Sequence, residues 1–176
     1  MKDKQKVDLY VAISLILVGV ALLVLPLFDV TNIKWIFFGI MIVYAIANFI
    51  KYILTRKEKD FEGILTMILC LIIGLSGLIF NLYDEPKKIA LSLLIWVGLM
   101  SLIKLKKADY YHDRKNSIWK LRVGLLILFM VIGLLTSINL FYSENIQSLI
   151  LGFFFFIHGT LELMDPCSQY FLGAKK

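Results

Sequence analysis

His158 and Glu162 are the side chains of this sequence whose position asks for a chemical explanation. Both fall inside Leu149 to Met164, the last long apolar stretch of the chain. Four residues separate them, so on a helix they share one face. Asn48, in an earlier apolar stretch, falls at a similar depth and could complete a polar cluster. Imidazole is the side chain that titrates near neutral pH. Beside a carboxylate inside a membrane it would suit proton sensing or ion coordination, because ionisable groups there face protein or water and not lipid. The simpler reading has His158 as a hydrogen-bond partner between helices and Glu162 as a group reaching the membrane surface. That reading is preferred, because such contacts commonly hold helices together in lipid. One His–Glu pair falls short of the three or four ligands a metal site needs. With no glycine-rich phosphate loop, no Ser/His/Asp set and no paired carboxylates at mid-membrane depth, the expectation is no enzyme, no cofactor and no metal.

These residues need a scaffold, and composition names its class. The chain has 176 residues, 60% of them hydrophobic and 18% charged, with a mean hydropathy of +0.82. Too little charge is present to cover a water-soluble domain of this size. The charges lie between long apolar runs, as expected when the bilayer is the solvent. The runs predict an all-α integral membrane bundle: one domain of six transmembrane helices at about 7–28, 33–54, 63–82, 89–103, 121–141 and 146–164, arranged as three sequential hairpins. The first run is too long for a signal-peptide core and no small-residue cleavage site follows it, so it reads as a retained helix. Turns are expected around Asp29 to Asn32 and at Tyr83 to Pro86. The fourth run is only 15 apolar residues, or about 22 Å of helix. That predicts a locally thinned bilayer or snorkelling by Lys88 and Lys104. Trp35 and Tyr52 suit the headgroup level at the two ends of the second helix.

Charge sets the orientation. With Met1 in the cytoplasm, the outer turns hold Lys34, Lys87 and Lys88, which leaves 16 of the 19 Lys and Arg residues on the cytoplasmic side. All loops are short, so the positive-inside rule applies and places both termini in the cytoplasm. Lys104 to Arg122 reads as a basic cytoplasmic loop with Tyr110, Tyr111 and Trp119 interleaved and His112 solvated. Beside a membrane its partners are anionic lipid headgroups. No nucleic-acid fold accompanies it, so nucleic acid is not expected.

Small residues mark where helices approach. Gly63, Thr66, Cys70, Gly74 and Gly77 line one face of the third helix, which suits packing within one protomer or, alternatively, a homo-oligomer. Gly152 and Gly159 do the same for the sixth. Phe153 to Phe156 point all round their helix and read as lipid- and core-filling bulk. Cys70 and Cys167 have no metal-ligand or disulfide spacing and read as packing residues. The hairpins also repeat. Gly19, Gly74 and Gly133 each fall mid-helix in a first helix, polar or breaking residues stand at the exits (Pro26, Asn81, Asn139), and Ala47, Gly98 and Gly159 fall at matching depth in the second helices.

The helix Ile13 to Pro26 with its glycine and exit proline, and the return helix with Gly152 and Gly159 seven apart, resemble the short repeat of the HdeD-like acid-resistance membrane proteins. The resemblance runs from about Val7 to Met164, although hairpins two and three lack the exit proline. It implies a small six-helix bacterial inner-membrane protein with a role in acid or envelope stress, and it supplies no catalytic residues. Three functions are thus expected in order: an accessory or stress protein whose partner is lipid or another membrane protein; a small proton-linked transporter or channel using His158 and Glu162; and a membrane-embedded immunity protein.

Overall fold

The structure is a computed structural model and describes residues 3–24, 33–55, 61–80, 85–113, 118–142 and 146–173. Pro26, the turn at Asp29 to Asn32, the basic residues Arg56, Lys57 and Lys59, Asn81, and Tyr83 and Asp84 lie outside the described residues. The chain forms six helices: α1 (Asp3–Val24), α2 (Ile33–Thr55), α3 (Glu62–Ile79), α4 (Pro86–Asp113), α5 (Ile118–Tyr142) and α6 (Gln147–Gly173). Each contains a stretch long and apolar enough to cross a membrane. The six-helix, all-α expectation holds.

Large apolar side chains point outward from every helix, for example Leu17, Ile53, Ile72, Leu102, Leu135 and Phe153. Such a surface is too extensive for a monomer in water. Several hydroxyl side chains within the helices satisfy themselves locally. Thr55, Ser101, Thr136 and Ser137 each donate to the carbonyl one turn back on their own helix, at 2.7–2.9 Å.

Two boundaries differ from expectation. The fourth helix runs 28 residues, not 15, which gives about 42 Å of rise, so no thinned bilayer is needed. It does not stop at Lys104 because Lys104 and Lys107 turn into the bundle and meet carboxylates there. The sixth helix continues past Met164 through Pro166 to Gly173.

Helix order around the bundle is set by glycine. The most extensive interfaces are α1–α6, α2–α3 and α4–α5, with α1–α2, α3–α4 and α5–α6 less extensive. The tight pairs therefore join consecutive predicted hairpins, and the α1–α6 seam closes the ring. At that seam a Cβ on Gly159 would lie 2.7 Å from the backbone nitrogen of Ile16, and one on Gly152 would lie 3.0 Å from Leu23. Gly19 faces the backbone of Phe156 in the same way. The other two repeat glycines sit in the equivalent interfaces, Gly74 against Met41 of α2 and Gly133 against Val97 of α4. Gly98 has nothing within 4 Å of its would-be Cβ, so it takes no part in packing.

Candidate functional site

One end of the bundle, where α1 begins and α6 ends, carries a chain of ion pairs to which every helix contributes. Lys51 of α2 bridges Asp8 of α1 at 2.8 Å and Glu62 of α3 at 3.1 Å. Glu62 also holds Lys107 of α4. Lys107 approaches Asp165 of α6 at 3.7 Å, and Asp165 accepts from Arg122 of α5 at 2.6 Å. A further pair, Lys104 with Glu162, joins α4 to α6 again. Four cations balance four carboxylates. They are largely withdrawn from solvent: the side chains of Lys51 and Arg122 are 5% and 7% exposed. Groups so buried persist as ions only when paired and hydrogen-bonded.

Beneath this network the bundle axis is closed by rings. Tyr44 of α2, Trp96 of α4 and His158 of α6 form a triangle with centroids 5.6–6.0 Å apart, each pair edge to face. The geometry is the one aromatic quadrupoles favour. Phe129 and Phe154 pack on the imidazole at 4.7 and 6.0 Å. The Trp96 indole N–H reaches the Cys70 sulfur at 3.3 Å. His158 itself is 1% exposed, and neither ring nitrogen has a hydrogen-bond partner among the described residues. Between triangle and ion pairs lies a cavity of about 50 Å³, lined on the polar side by Glu62, Lys104, Lys107, Arg122, Glu162 and Asp165, and at its inner end by His158 and Phe129.

The predicted cluster of His158, Glu162 and Asn48 is thus not assembled as such. Glu162 pairs with Lys104, Asn48 donates to the Tyr44 carbonyl at 2.9 Å on its own helix, and His158 lies among rings. His158 and Glu162 do share the cavity wall.

The small residues behave as packing positions. Gly63, Thr66, Cys70, Gly74 and Gly77 are all buried on α3, with Gly63 against Asn48 and Tyr52 of α2. This face is used within the chain. Of the four consecutive phenylalanines, Phe154 and Phe155 fill the core while Phe153 and Phe156 are exposed. Among the described residues no group of three His, Cys, Asp or Glu could hold a metal.

The basic loop expected at Lys104 to Arg122 is corrected. α4 runs to Asp113 and α5 starts at Ile118, so most of the stretch is helical, and Lys104, Lys107 and Arg122 are engaged in internal ion pairs. Lys106 and Lys120 remain exposed, Arg114 and Lys115 lie outside the described residues, and the exposed His112 ring packs edge-on against Trp119 at 4.8 Å. The ion-pair chain was missed because its basic members were read as charges that set orientation, and Asp8, Glu62 and Asp165 were given no role. A signal existed: Lys104 with Lys107, and Glu162 with Asp165, are i,i+3 pairs of opposite sign at the same ends of two helices.

Six apolar helices around a closed polar and aromatic interior define a multi-pass membrane protein. Residues 10–81, which include most of α1 and all of α2 and α3, match a short repeat of unknown function (DUF308), the family to which HdeD-like proteins belong. The matched segment is less than half the chain, so the resemblance expected up to Met164 is supported over its first part. No curated protein and no solved structure matches the chain.

Proposed function

We propose that this is a non-enzymatic accessory protein of the bacterial inner membrane, with both termini cytoplasmic, which acts in envelope or acid stress through contacts with lipid or another membrane protein. The observation that carries this reading is the closed axis: Tyr44, Trp96 and His158 meet at the centre, backed by Phe129 and Phe154. Interior charges hold one another, while the outward faces are apolar. What the molecule offers to others is therefore its lipid-facing surface. The DUF308 match supports the likeness to HdeD-like proteins, and the excess of basic residues at the termini end supports the orientation. The test is survival of cells lacking the gene after acid or envelope challenge. The expected result is a loss restored by the wild-type copy; equal survival across challenges removes the stress role.

One observation favours a second reading, a small proton-linked transporter or channel: the polar cavity ends on His158, whose nitrogens meet no hydrogen-bond partner among the described residues. Proton flux in liposomes set at different inner and outer pH separates the two. The accessory reading expects inserted, folded protein to be silent. Flux that falls with His158→Ala or Glu162→Ala would replace it with the transport reading.

A further inference from the structure

The cavity between the ion pairs and the aromatic triangle has the features of a ligand site. Its volume of about 50 Å³ is several times the roughly 10–15 Å³ that one water needs. A buried imidazole stands at its inner end with neither nitrogen partnered among the described residues, although neutral imidazole always presents one donor and one acceptor. The charged groups facing it come from four helices: Glu62 on α3, Lys104 and Lys107 on α4, Arg122 on α5, Glu162 and Asp165 on α6. Tyr44 of α2 packs on the ring itself. These charges balance when His158 is neutral.

That balance restricts what can enter. A bare ion would add an uncompensated charge to a buried site whose charges already balance, and so would a proton added alone to the imidazole. An anion and a proton together leave the balance unchanged. Their placement follows from the cation nearest the ring stack: Lys104 Nζ lies 5.3 Å over the Phe129 ring, which packs on His158 at 4.7 Å. An anion in the cavity would have Lys104 on one side and a protonated imidazole, now a donor at both nitrogens, on the other.

We infer that this cavity binds a small monovalent anion of the size of formate together with one proton held on His158. A weak acid thus enters as its anion in the cavity and its proton on an imidazole nitrogen. The site does not depend on transport and stands whether or not the liposomes conduct.

The test uses full-length protein in detergent, with thermal unfolding followed by tryptophan fluorescence in sodium formate against sodium gluconate at equal ionic strength. The expected result is stabilisation specific to formate, with the half-saturating concentration falling by about tenfold per unit of pH lowered, as uptake of one proton requires. In His158→Gln, and in His158→Phe, that pH dependence is lost. Formate and gluconate acting alike, a formate effect independent of pH, or the same pH slope in the variants would each overturn the site. Should neither variant fold, a pH indicator in weakly buffered wild-type protein decides. Formate addition should take up about one proton per chain by the same linkage, and no uptake overturns the inference.

Discussion

The two ends of the bundle handle charge in opposite ways. At the termini end, Asp8, Lys51, Glu62, Lys107, Asp165 and Arg122 form one continuous chain through all six helices, mostly buried. At the other end Lys88 pairs with Glu85 three residues away, with 42% and 60% of the side chains exposed, and Lys87 lies 5.2 Å over the Phe141 ring. Both ends carry basic residues beside apolar helices, yet Lys51, Lys107 and Arg122 are turned inward while Lys87 and Lys88 are not. The difference teaches that position along a helix does not decide whether a charge is solvated. A charge drawn into the bundle needs an opposite charge on a neighbouring helix, and the termini end supplies four carboxylates to four cations.

The strongest way to break this contrast is Glu62→Gln, which leaves Lys51 and Lys107 without the carboxylate they share. Removing one partner of a buried ion pair costs about 3–5 kcal/mol. Unfolding by SDS titration or heat should show a loss of that order, and a loss below about 1 kcal/mol, the level of surface pairs, would reduce the network to surface electrostatics. Next in size is the seam that holds the ring closed. Gly159→Ala drives a methyl against the Ile16 and Ala12 backbone, an overpacking worth about 1–3 kcal/mol. Gly98→Ala meets open surroundings and should be neutral or stabilising by up to about 1 kcal/mol through helix propensity. Equal effects of the two substitutions would refute the glycine account of helix order. The smallest effect belongs to the exposed pair: Glu85→Ala should change stability by no more than about 0.5 kcal/mol, and a larger loss would mean that the two ends are not so different after all.

Much of the scaffold was legible. Hydropathy is a local sum along the chain, so the six segments and their class followed from composition and run length. The small-residue face of α3 followed from spacing alone, and so did the repeat glycines Gly19, Gly74 and Gly133, which all turn out to sit at tight interfaces. The length of α4 was misread because Lys104 and Lys107 look, locally, like the end of an apolar run. The partners that His158, Glu162 and Asn48 each take were not legible for a related reason. Depth and helical face can place residues in one layer, but cannot say which neighbour each will meet.

What the sequence by itself determined is a multi-pass helical membrane protein, since bilayer thickness and backbone hydrogen bonding leave an apolar chain of this kind little choice. What only the tertiary structure decided is the order of the ring, with α6 closing on α1, and through it the site. The chain of ion pairs runs from Asp8 through Lys51, Glu62 and Lys107 to Asp165, and the triangle joins Tyr44, Trp96 and His158 from three helices. Such contacts exist only once the glycine seams have fixed which helices are neighbours, because a charge or a ring acts over a few ångströms of space and not along the chain.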